Sequence, residues 1–200
     1  MNEVWHYTDL LKAHKFFHDV ENRWNFYDAY MDSRDPTAWF KSPDMPLREG
    51  ILLFGWVHSW DPNFQGDLQR FLEIYRDIFE IVKFFEHKML IGIDFSSDVK
   101  NSLCVMFDRV ANCCKTRRYE STDASKILHA IVPELFVMWD DKIRNNIVGS
   151  QRDGGCYAYK FMPNMQGFAK QFLDSYIREN SGDYKSASRQ ISKMAHDHTG

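Results

Sequence analysis

Phe64-Gln-Gly-Asp-Leu-Gln-Arg-Phe-Leu-Glu-Ile-Tyr-Arg-Asp-Ile-Phe-Glu-Ile-Val-Lys-Phe-Phe85 is the stretch that decides the fold class. Apolar side chains recur at Phe64, Leu68, Phe71, Leu72, Tyr75, Ile78, Phe79, Val82 and Phe85, with Ile74, Ile81 and Phe84 between them, and the pattern continues to Met89. Steps of three and four gather such positions on one stripe of a helix, whereas a half-buried strand would alternate. Arg76 and Glu80 fall on the opposite face at helical spacing, which predicts a modest surface ion pair. Asp61-Pro62, a capping side chain ahead of a proline, predicts the start of this helix.

The same period extends outward. Leu10, Ala13, Phe17, Val20, Trp24, Tyr27 and Met31 predict one long first helix with an aromatic face. Between Asp32 and Arg48, Asp35-Pro36 and Ser42-Pro43 predict short helical turns. The run Ile51 to Val57 is apolar on every side, and no second strand-like segment accompanies it, so a central buried helix is expected. Ser96 or Ser97 opens a further helix carrying Val99, Leu103, Met106, Val110 and Cys113. A polar turn from Lys115 to Ser121 leads to a helix over Ala124–Val132, and a short helix follows over Asp140–Ile147. Val148 to Gly155 reads as a loop, and helices over Met165–Arg178 and Tyr184–Met194 close the chain. The expectation is an all-α, single globular multi-helix domain spanning residues 1–200.

Composition agrees with a packed chain. Of 200 residues, 44% are hydrophobic, 26% charged and 16% aromatic, which excludes disorder, collagen and a disulfide scaffold. Most rings fall at core spacing, among them Phe17, Trp24 and Tyr27. Trp39, Phe40, Trp56, Trp60, Trp139, Tyr157 and Tyr159 lie near breaks between helices and are candidates for a pocket. The net charge of -3 weighs against a dedicated nucleic-acid binder, although Lys115, Arg117 and Arg118 form a local basic cluster. Cys104, Cys113, Cys114 and Cys156 have no metal-ligand spacing and read as small buried hydrophobes in a reducing compartment. There is no signal-peptide pattern and no apolar run approaching the ~20 residues of a membrane span. A soluble cytoplasmic protein without membrane contact is the expectation.

Phosphate loops, dinucleotide fingerprints and nucleophile elbows are absent, so no cofactor is expected. His14 and His18 have the spacing for a shared metal, but the Glu of a zinc-protease helix is missing between them, so ordinary surface histidines are expected. Unusual residues concentrate in Ser121-Thr-Asp-Ala-Ser-Lys-Ile-Leu-His-Ala-Ile-Val-Pro-Glu-Leu-Phe-Val-Met-Trp-Asp-Asp-Lys-Ile-Arg144. Ile127, Leu128, Ile131 and Val132 form the buried stripe of its helix. Lys126 is expected to point away from that stripe, with His129 beside it. Asp140 emerges after a hydrophobic turn, where a carboxylate either caps the next helix or has a functional partner.

This stretch resembles a motif of Lys-x-Leu-His, Pro-x-Leu-Phe and Met-Trp-Asp that recurs in a diffuse set of small all-helical proteins of unassigned function. More distantly it is similar to the core of the helix-hairpin-helix DNA glycosylase superfamily, in which a hairpin precedes a helix bearing a catalytic lysine and a later aspartate opens another helix. The resemblance implies catalytic roles for Lys126, with His129 beside it, and for Asp140. It places Ile143 at the aliphatic position after that aspartate. Ser121-Thr-Asp-Ala-Ser125 stands where the hairpin glycines would be. The implied partner is duplex DNA, with Lys115, Arg117, Arg118, Lys142 and Arg144 holding phosphates and a pocket built from Trp139, Trp60 and Tyr157. The competing expectation is a non-enzymatic helical domain that binds a protein partner through exposed aromatics. In that case Asp140 is a cap and Lys126 a solvated lysine.

Overall fold

A computed structural model describes residues 5–21, 24–114, 116 and 118–197, with the side chains of 196 and 197 left aside. Its elements are α1 (Tyr7–Val20), α2 (Trp24–Ser33), α3 (Ala38–Lys41), α4 (Leu47–Trp60), α5 (Leu68–Phe84), α6 (Ser97–Ala111), α7 (Ser121–Ile131), α8 (Asp141–Ile147) and α9 (Gly154–Cys156), then a π-helical turn (Tyr157–Phe161), α10 (Met162–Asn180) and α11 (Tyr184–Asp197). Among the described residues there is no strand, only an isolated bridge between Gly66 and Cys114, so the protein is all-α. No helix among them is long and apolar enough to cross a membrane. The four cysteines are free thiols.

The chain divides into two compact units, residues 26–164 and residues 1–25 with 165–200. In the larger unit, α5 buries Phe71, Ile74, Tyr75, Ile78, Phe79 and Val82, as its period requires. Its cap is Asp67, whose side chain accepts from the Arg70 amide at 3.1 Å. Asp61-Pro62 does not open it; Asp61 closes α4 instead, its amide donating to the Val57 carbonyl. Arg76 is turned toward Asp44, at 2.8 Å, rather than toward Glu80. Helix α6 begins at the Ser96 cap and buries Leu103, Met106, Phe107 and Val110.

Helix α4 is not buried all round. Leu53, Trp56 and Val57 face the core, while Leu47 and Ile51 are exposed one turn apart. The expected short helical turns are met at α3, which follows the Asp35-Pro36 turn: Asp35 accepts from the Thr37 amide at 2.9 Å through its side chain and from the Ala38 amide at 3.1 Å through its carbonyl, whereas Ser42 closes α3 rather than opening a helix.

Gly154 and Gly155 are not loop residues. Asp153 caps α9 by accepting from the Cys156 amide at 2.7 Å, and the π-helical turn follows at once. That turn brings both Tyr157 and Phe161 into the core against Trp139, with ring centroids 5.0 Å away in each case. Phe107 stacks on Tyr157 at 4.3 Å. Aromatic pairs of this kind contribute roughly 0.5–1.5 kcal/mol each beyond the area they bury. Asp108 fastens the same region, accepting from the Tyr119 hydroxyl and, at 2.7 Å, from the Gly154 amide.

In the smaller unit the expected long first helix is interrupted: α1 ends at Val20, and Glu21 takes an extended conformation. Its aromatic face is a satellite cluster rather than a core. Trp24 packs edge-on against His14, Phe17 and His18, yet α1 has no buried residue. The unit is held by α1 against α11, by the Tyr7 amide donating to Ser175 Oγ at 2.8 Å, and by Tyr7 edge-on to Tyr176.

The tight seat of Gly154 supplies a test. A Cβ there would lie 2.4 Å from the Cys104 carbonyl oxygen, a backbone atom that cannot swing away. Gly154→Ala is expected to destabilise the fold by about 1–3 kcal/mol, read as a lower urea midpoint.

Candidate functional site

Helix α7 carries the residues that the sequence singles out, and it packs against α6 and α4. Because neighbours cover it on nearly every side, Ser121, Asp123, Ala124, Ser125, Lys126, Ile127, Leu128, Ala130 and Ile131 are all buried. Lys126 therefore does not point to solvent. Its Nζ donates to Asp123 Oδ1 at 2.8 Å, and the two side chains are only 7% and 1% exposed. Burial raises the Asp123 carboxyl above its ordinary range, and the charge and hydrogen bond of Lys126 oppose that rise.

His129 is half-buried with both ring nitrogens engaged. Nδ1 lies 2.7 Å from the Phe136 carbonyl, which only accepts, so Nδ1 carries the proton. Nε2 then accepts from the Tyr27 hydroxyl at 2.9 Å. Desolvation holds the imidazole below its usual pKa, the bond to Phe136 opposes this, and the nearby Arg34 charge adds to it. This is the geometry of a neutral, orienting histidine.

Asp140 caps α8, its Oδ1 accepting from the Ile143 amide at 2.7 Å. The preceding residue, Trp139, is bound to α7 at two points: its amide donates to Ser125 Oγ at 3.1 Å and its indole N–H to the Ser121 carbonyl at 3.0 Å. The lysine-bearing helix and the aspartate-bearing turn are thus packed together, but Lys126, His129 and Asp140 address different partners.

The nominated basic residues divide. Arg144 is buried, paired with Asp141 at 2.8 Å and placed over the Trp139 ring. Arg118 pairs with Glu120 at 3.0 Å, Lys142 is exposed, and Lys115 and Arg117 lie outside the described residues. Trp139 and Tyr157 are core residues against each other, and Trp60 is half-buried beside Trp56, so these three rings do not form a pocket together. His14 and His18 stack with centroids 6.3 Å apart, and no cluster of three metal-ligating side chains exists among the described residues.

At the C-terminal end of α7 lies a cleft of about 300 Å³, walled by Phe40, Ile131, Val132 and Pro133 and edged by Arg34, His87 and Lys88. Arg34 Nη1 donates to the Ala130 carbonyl at 2.9 Å, satisfying one of the free carbonyls at the end of α7. Its Nε is buried without a hydrogen-bond partner. His87 takes a left-handed conformation, φ 63°, which is uncommon for a residue with a Cβ. Of these residues the sequence marks Phe40, as a ring near a helix break, and Ile131, Val132 and Pro133, within the motif stretch; Arg34, His87 and Lys88 come from two other segments and share no spacing with them.

No family model, curated protein or solved structure matches this chain.

Two outcomes follow from α7. Lys126→Met leaves a buried carboxylate uncompensated and is expected to cost about 3–5 kcal/mol in urea unfolding, while the double variant Asp123→Leu with Lys126→Met loses far less. For His129, the folded pKa lies below the unfolded value of 6.5, so the unfolded chain binds more protons as pH falls. Stability is then full above 6.5 and declines as pH falls from there toward the lowered folded pKa; in His129→Gln, pH titrations of the urea midpoint should show a shallower decline.

Proposed function

We propose that this protein acts as a non-enzymatic helical binding module that receives a protein partner on exposed apolar side chains. The observation that carries this reading is α1. No residue of this helix is buried, although Leu10, Leu11, Phe16, Phe17 and Val20 lie along it. Phe16 is 69% and Val20 61% exposed, and helical spacing puts them side by side. Apolar patches bordered by charges, here Lys12, Lys15 and Asp19, mark association surfaces on soluble domains. The partner chemistry is an apolar helix or strand edge with a polar rim. A photoreactive phenylalanine analogue at position 16 should give one discrete protein adduct in the producing cells, and Val20→Glu should suppress it. If no adduct forms, or if Val20→Glu leaves it unchanged, the reading fails.

A second reading follows the glycosylase resemblance and is favoured by one contact, the bond from the Trp139 amide to Ser125 Oγ that joins the lysine helix to the aspartate turn. In it, the Lys126 ammonium gives a proton to Asp123, the free amine attacks the anomeric carbon of an extruded nucleotide, the base leaves with the glycosidic electron pair and takes up a proton, and the sugar ring opens to leave a Schiff base. Asp140 supplies negative charge to the developing cation, and the exposed Lys142 and Arg118 hold phosphates. Borohydride trapping on duplex DNA with an abasic site separates the two. The binding-module reading expects no adduct and no salt-dependent affinity for the duplex. A covalent adduct that disappears in Lys126→Met would overturn it.

A further inference from the structure

The cleft at the end of α7 is independent of the α1 surface. We infer that it is a binding site for a small monocarboxylate with an apolar body, held by Arg34.

The first argument is charge. Arg34 is half-buried, and among the described residues no carboxylate pairs with it. One of its five N–H donors goes to the Ala130 carbonyl and Nε has no partner at all. Charges removed from water are ordinarily paired, so a guanidinium left this way in the wall of a cavity lacks an anion. The planar fork of arginine matches a carboxylate.

The second argument is the balance around it. The cleft also holds His87, Lys88, Glu86 and Glu134. Glu86 lies 3.5 Å from His87 Nε2, and Lys88 sits over the Phe84 ring at 5.3 Å. Neither glutamate comes within ion-pair distance of Arg34. They would also repel a dianion, which favours one carboxylate over a phosphate group. The third argument is shape. Phe40, Ile131, Val132 and Pro133 give apolar walls, and about 300 Å³ is the lower end of the range for ligand pockets. A body the size of one ring or a short branched chain fits that volume.

The fourth argument is His87. Its left-handed backbone presents an imidazole that is 89% exposed at the rim. There a ring N–H can donate to a bound oxygen.

The test uses the full chain, labelled with ¹⁵N, titrated with benzoate and, in parallel, with benzyl alcohol and inorganic phosphate. Benzoate should give saturable shifts of the Arg34 Nε–H resonance and of the His87 and Lys88 amides. Benzyl alcohol and phosphate should each bind at least tenfold more weakly. Arg34→Gln should abolish the shifts. Because Arg34 also caps α7, Glu134→Gln provides the check that folding cannot mimic: removing a rim carboxylate should tighten benzoate several-fold. Equal binding of benzyl alcohol would overturn the role of Arg34, and equal binding of phosphate would overturn the carboxylate assignment. Shifts scattered away from the cleft, or no saturable shift at all, would remove the site.

Discussion

The ion pair between Asp123 and Lys126 is the constraint around which the larger unit is arranged. A helix enclosed on nearly every side cannot leave a lysine or an aspartate alone, because each charge carried out of water costs several kcal/mol. At 2.8 Å and helical spacing, the two answer each other without leaving α7. Once the pair is made, the helix can be covered by α4 and α6, and its first turn can receive Trp139. From Trp139 the packing runs to Phe107, Tyr157 and Phe161 and so to the π-helical turn. The polar groups of α7 thus act as fittings of the core.

The stretches legible in the sequence are those whose burial is one-sided. Helices α5 and α6 each bury one stripe, so a period of 3.6 reports them directly. Helix α7 defeats the same reading. Lys126 lies off the apolar stripe and so reads as solvated, because a period says nothing about whether a second layer covers the other face. At α4 the error runs the other way. Continuous apolar sequence suggests burial all round, yet Ile51 faces outward at 55% exposure. The first helix fails for a local reason, since the apolar steps continue through Glu21 while the backbone there is extended. Two caps, Asp67 and Asp153, sit a few residues from the turn signals that would have been chosen, Asp61-Pro62 and the glycines after Gly149. Side-chain type alone does not say which of several aspartates meets a free amide.

At the candidate site, legibility depends on distance along the chain. Asp140 as a cap can be read from its neighbours, because the acceptor and the donor are three residues apart. The cleft cannot. Arg34, Phe40, His87 and Ile131 meet only because α7 ends where the turn after α5 and the segment after α2 also end. Nothing in their spacing announces that meeting. The two surfaces put forward for binding are therefore of different kinds: α1 shows itself by what it fails to bury, and the cleft by a cation that the fold does not neutralise.

The enclosure of α7 has a consequence for descent. A helix with an outward face can drift along that face, whereas α7 offers almost no position at which a substitution goes unfelt. Ser125 must reach Trp139, Lys126 must answer Asp123, His129 must span Phe136 and Tyr27, and the aliphatic positions have fixed neighbours. Purifying selection for folding alone would then preserve lysine, histidine and aspartate together across any lineage that keeps this packing. Such a block would look like the imprint of a reaction even in proteins that catalyse none.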